Sequence, residues 1–198
     1  MFMKRSSAFT LIELLVVISI IAILASLAIP AVTGALARGQ MAQTLSNFKQ
    51  LHLATFNMDL DNQQAGSGSG WPGTNTGAPS TAIAWAAALT NGNYLKPSEI
   101  AKMLSAQSVQ ADPALTSTNS WAAIVYGVGN VDDGGVVFLS TKNVAFSSGQ
   151  TNATIPLSTA TPYGNKGFVI FHKGGDGQIL QARFATNGNT TTNQPAPL

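Results

Sequence analysis

Three patterns of apolar and polar positions follow one another along the 198-residue chain. Across residues 11–29 nearly every position is Leu, Ile, Val or Ala, and Glu13 is the single charge. Across residues 41–60 the apolar side chains separate: Met41, Leu45, Phe48, Leu51 and Met58 recur near every third or fourth position, with Leu53, Phe56 and Leu60 adjoining that face. This spacing predicts a half-buried amphipathic helix. Beyond residue 118 short apolar runs are divided by Gly- and Asp-rich punctuation, which predicts strands and turns.

The first run reaches a bilayer's thickness. Nineteen helical residues at a rise of about 1.5 Å extend about 28 Å, close to the hydrocarbon core. Lys4 and Arg5 precede the run and no acidic residue comes before Glu13, so the positive-inside rule keeps the N-terminus cytoplasmic and sends the rest outward. A carboxylate near the centre of such a span costs roughly 2.5–3.5 kcal/mol, and less towards an interface. Neither a cleaved secretory signal nor a plain anchor explains Glu13. The run is also longer than a signal peptide's apolar region, and it passes through Pro30 into helix-compatible sequence.

The helical pattern continues after Pro30, weakened by Gly34 and Gly39 at roughly 1 kcal/mol each relative to Ala. Its predicted end is near Asp61 or Asn62, where "QQAGSGSGWPGTNTGAPS" begins an irregular connection. Trp71 and Pro72 are expected to pin that connection to the domain. A second helix is predicted over residues 81–90, with Ser80 or Thr81 as cap and Asn91-Gly92 as its stop, and a third over 97–104 with Pro97 in its first turn. "SWAAIVYGV" and "GVVFLST" flank "GNVDDGG", and "GFVIFH" and "QILQARFA" flank "KGGDG". Two hairpins are predicted, and hence an antiparallel sheet.

Composition narrows the function. Ten basic and eight acidic side chains leave a formal charge of +2, which Lys4 and Arg5 account for, so no basic surface attracts nucleic acid. With no Cys, disulfides and thiolate metal sites are out of reach. His52 and His172 are the only histidines, and no His-Glu-x-x-His spacing occurs. Gly-x-Ser-x-Gly is absent, and the Gly-rich stretches lack the Lys of a phosphate loop. Nothing supports an enzyme, so no catalytic residue is assigned.

"AFTLIELLVVISIIAILASLAIP" resembles the N-terminus of type IV pilins and type II secretion pseudopilins. The resemblance implies cleavage between Ala8 and Phe9 by a prepilin peptidase that also N-methylates Phe9; the family usually has Gly where this chain has Ala8. It implies that Glu13 pairs with the new amino terminus of a neighbouring subunit, and that Pro30 bends or locally melts the helix. "LSNFKQLHLATFNMD" also looks like the stretch that follows in many pseudopilins. The implied fold is α+β: a long N-terminal α-helix, membrane-spanning in its first half, packed on a C-terminal antiparallel β-sheet head. The implied segments are a cytoplasmic leader (1–8), a transmembrane and filament-core helix (9–30), a spine helix (31–62), the head (63–186) and a flexible tail (187–198).

Implied partners are identical or related pilin subunits, the peptidase and methyltransferase, an inner-membrane assembly platform, and membrane lipid before assembly. The implied location is a single-pass inner-membrane protein, then a periplasmic or surface filament. A non-polymerising, membrane-anchored binding module is the alternative from another functional class. No cofactor is expected. Calcium is considered because major type II pseudopilins often bind it in an acidic C-terminal loop, which makes Asp132, Asp133 and Asp176 candidates. Asp59 and Asp61 also supply oxygens, but the twelfth position of a loop starting at Asp59 is Gly70 rather than glutamate. Asp-Gly pairs also form turns without any ion.

Overall fold

A computed structural model describes residues 10–106, 108–129, 133–144, 146, 161–181 and 198. The expected leader, the tail apart from Leu198, and part of the first hairpin's turn lie outside the described residues. The chain divides into two units, Met1–Arg38 and Gly39–Leu198. One helix, α1 (Leu11–Ala65), belongs to both and runs unbroken through Pro30, Gly34 and Gly39.

Within the second unit α1 behaves as its periodicity predicts. Met41, Phe48, Leu51 and Met58 are buried at 3% exposure or less, each side chain contributing about 1.5–3 kcal/mol relative to exposure. The helix ends at Ala65, three residues beyond Asn62, where the sequence placed its stop. Gln63 supports the extra turn by donating from Nε2 to Asp59 Oδ2 at 2.7 Å. Gly66 then takes φ +66°, while the Ser67 and Gly66 amides bond the carbonyls of Asn62 and Gln63, a Schellman ending that favours glycine at that position.

The Gly/Ser-rich connection is held by a buried carboxylate. Asp59 is 6% exposed, and its Oδ1 accepts from Ser69 Oγ at 3.1 Å and from the Gly70 amide at 2.8 Å. Gly70 crosses so close to α1 that a Cβ there would lie 2.5 Å from the Asp59 nitrogen. Trp71 is thereby seated in the core, edge-on to Phe138 at a 5.2 Å ring separation, as its sequence context predicts.

The remaining helices begin where local chemistry sets them. The α2 helix (Ala82–Asn91) is capped by Thr81, whose Oγ1 accepts from the Ala84 amide, and it closes at Gly92. Trp85 joins α2 to α1 by donating from Nε1 to Thr55 Oγ1 at 3.0 Å. The α3 helix (Pro97–Met103) opens on Pro97 and is closed at its start by Glu99, which accepts from the Lys96 amide.

Four strands follow: β1 (Ala123–Val125), β2 (Val137–Thr141), β3 (Phe168–His172) and β4 (Gly177–Leu180). They form an antiparallel meander in the order β1-β2-β3-β4. Both expected hairpins are present, and β2 pairs with β3 to join them, with a register irregularity between Val137 and Leu139. Every residue of β2 and β3 is buried, so both faces of these central strands are covered. The long helix and the four-stranded sheet make an α+β, pilin-like arrangement.

His52 joins α1 to the far end of the sheet. Its Nε2 lies 2.8 Å from the Lys173 carbonyl in the β3–β4 turn, a contact that requires Nε2 to carry the proton. Trp71, Phe138 and Phe171 surround the ring. Burial holds its pKa below the usual histidine range, against opposing contributions from the Lys173 carbonyl and Asp176.

Two outcomes are expected from these polar anchors. Asp59→Ala leaves the donors of Ser69, Gly70 and Gln63 without their acceptor and should lower stability by about 2–3 kcal/mol, read from denaturant unfolding of the full chain in detergent. For His52 the folded pKa is the lower one, so below about pH 6.5 the unfolded chain takes up protons first and stability falls with acidification. His52→Gln should flatten that decline; an unchanged pH profile would show that another group causes it.

Candidate assembly segment

The first turn of α1 builds a closed polar unit from Thr10 and Glu13. The Thr10 amide donates to Glu13 Oε2 at 2.9 Å and the Thr10 hydroxyl donates to the same oxygen at 2.6 Å. The Glu13 amide returns a longer bond, 3.4 Å, to Thr10 Oγ1. Thr10 precedes the first helical residue and Glu13 is the third, which makes this a capping box. The carboxylate therefore satisfies the Thr10 amide, a donor that the helix start leaves free. The spacing Thr-x-x-Glu was readable in the sequence, but attention to the charge alone missed Thr10 as its partner.

Beyond this cap the segment leaves its large apolar side chains uncovered. From Leu11 to Ile29 every large apolar side chain is at least 48% exposed, and the most apolar 18-residue window is 0% buried. Its polar side chains turn back on their own backbone: Ser19 Oγ donates to the Leu15 carbonyl, Ser26 Oγ to Ile23 and Thr33 Oγ1 to Pro30. A surface that is apolar outside and hydrogen-bonded inside is what hydrocarbon demands. Length, composition and exposure fit a membrane anchor.

The other residues singled out in the sequence are placed as follows. Ala8 and Phe9 lie outside the described residues, as does Asp132. Pro30 sits inside the continuous helix, so this conformation shows no melted segment there; hydrogen bonding on either side of the missing amide carries the helix across. Asp133 Oδ1 accepts from the Gly135 amide at 2.9 Å, which is turn chemistry. Asp176 Oδ2 lies 2.7 Å from His172 Nδ1, across the β3–β4 turn. Asp61 accepts from the Tyr94 hydroxyl at 2.5 Å. Among the described residues no three His, Asp or Glu side chains gather as a metal group. The two histidines serve separate contacts with the β3–β4 turn, His52 from α1 and His172 from β3.

The exposed apolar surface of α1 reappears in the second unit. Leu53, Phe56 and Leu60 are 49%, 44% and 40% exposed, on the side away from Leu51 and Met58. The sequence joined them to the buried face; the structure leaves them half in solvent, because the sheet and the Trp71 loop fill only the other side of the helix.

Residues 3–29 match the family model described as the prokaryotic N-terminal methylation motif. Over 68 residues, 34% of this chain, the sequence is 41% identical to the type IV major fimbrial protein FimA of Dichelobacter nodosus. The match spans 44% of that relative, less than half its length. No solved structure matches the chain. The motif and the fimbrial likeness show that the chain is similar to type IV pilins over part of its length, and its long N-terminal helix and antiparallel sheet form a pilin-like α+β arrangement.

Proposed function

We propose that the chain is a structural filament subunit, cut between Ala8 and Phe9, N-methylated on Phe9 and assembled through α1. The observation that carries this reading is the single carboxylate at the start of the exposed apolar stretch from Leu11 to Ile29, within a segment that matches the methylation motif. The fimbrial relative favours a type IV pilus over a secretion pseudopilus. Before assembly the helix rests in membrane lipid with the head outside the cytoplasm. A prepilin peptidase and an inner-membrane assembly platform act on it there.

Cleavage before Phe9 creates an ammonium close to the Thr10–Glu13 cap. In a packed bundle of helices that charge needs a counter-ion, and Glu13 of a neighbouring subunit supplies one. Breaking a buried pair by removing one partner costs about 3–5 kcal/mol, so the pair selects one axial register over its alternatives. The exposed stripe of Leu53, Phe56 and Leu60 gives the same helix an apolar surface for neighbouring subunits further along.

Glu13→Leu should leave the protein processed and inserted in the membrane while filament yield collapses; a normal yield would remove the charge pair from the assembly step. Mass spectrometry of sheared surface material should find a mature chain beginning at methylated Phe9. Retention of Met1 in the membrane would instead leave the non-polymerising anchored module.

A further inference from the structure

The geometry points to Tyr163 as a clamp that fixes where the head takes hold of α1, so that opening of the helix upstream of Gln40 stops there. Tyr163 is 6% exposed. Its hydroxyl lies 2.6 Å from Thr44 Oγ1 and donates to the Gln40 carbonyl at 3.2 Å. Within α1 that carbonyl is the acceptor one turn below Thr44, so the phenol binds both levels of a single helical turn. Burial raises the Tyr163 pKa above the usual phenol range, opposed by the Thr44 contact, which keeps the donor protonated.

The clamp has a fixed base. Tyr163 enters a short 3-10 turn, Gly164–Lys166. Asn143, 0% exposed and just past the end of β2, donates from Nδ2 to the carbonyls of Gly164 and Gly167 at 2.9 and 2.8 Å. The hold on α1 is therefore tied directly to the sheet. Upstream the helix has less support: from Ala31 to Gly39 only Ala37 is buried. Pro30 removes one amide from the ladder, and a Cβ at Gly34 or Gly39 would meet no atom within 4 Å beyond the neighbouring residues and the helix's own nearby backbone. Tertiary packing supplies most helical stability in proteins, so the stretch between Pro30 and Gln40 is the part of α1 that opens most readily. Without the clamp, the first turn of the head's helix would fray with it.

This inference does not depend on polymerisation and stands or falls separately from the filament reading. The test is amide hydrogen exchange of the full chain in detergent micelles, followed on peptides from residues 31–39, 40–48, β2 and β3. In the wild type 31–39 should exchange faster than 40–48. Tyr163→Phe keeps the ring and removes the hydroxyl; it should speed exchange in 40–48 by about tenfold, the scale of one lost hydrogen bond, while β2 and β3 keep their rates. Thr44→Val should act in the same direction. Equal wild-type rates on both sides of Gln40 would overturn the proposal, as would unchanged exchange in Tyr163→Phe. Uniform acceleration across the head would also overturn it, because the hydroxyl would then support the core in general and not this boundary.

Discussion

The head is organised by burial of one face of α1. Met41, Phe48, Leu51 and Met58 form a stripe that must be removed from water, and the sheet, α2 and the Trp71 loop are the surfaces that remove it. The central strands are consequently covered on both sides, with Ser140, Thr141 and His172 buried among aliphatic and aromatic neighbours. Buried polar groups on this scale are tolerated when they find partners, and here the partners are specific: Ser140 lies 2.9 Å from the Tyr126 hydroxyl, and the Thr141 hydroxyl accepts from the Val169 amide.

The same helix meets the opposite condition in its first half. There every large apolar side chain is exposed, and the hydrogen bonds of Ser19 and Ser26 turn inward to backbone carbonyls. One continuous element thus serves two solvents. The capping box at Thr10 and Glu13 extends this logic to the helix end, because the carboxylate that is costly in lipid also satisfies the otherwise orphan Thr10 amide. Glu13 is a cap within one chain, and in the proposed assembly it is also the group that receives a neighbouring chain's charge.

Polar contacts between distant parts of the sequence give the apolar core its definition. Asp59 holds the Gly/Ser-rich loop, His52 holds the β3–β4 turn, Trp85 donates to Thr55, and Tyr163 reaches back to Thr44. All four involve the buried side of α1 and together they follow it from Gln40 to Asp59. A hydrophobic stripe sets which face is covered, but it tolerates sliding along the helix. Directional hydrogen bonds at several levels remove that freedom.

The sequence by itself determined the elements whose signals are local. The apolar run announced the anchor, the Thr81 cap and Asn91-Gly92 stop bounded α2, Pro97 opened α3, and both hairpins followed from apolar runs around Gly-rich turns. Each depends on contacts between residues a few positions apart, which periodicity and turn chemistry record. Thr10-x-x-Glu13 is an equally local signal, but its closure into a capping box was seen only in the structure. Tertiary structure alone decided the pairing of β2 with β3, the use of Asp59 and Asp61 as loop and helix anchors, the exposure of Leu53, Phe56 and Leu60, and the grip of Tyr163 on a turn 119 residues away. A carboxylate or phenol offers the same donors and acceptors wherever it stands, so its role is set by what the fold carries to it. No spacing along the chain encodes that meeting.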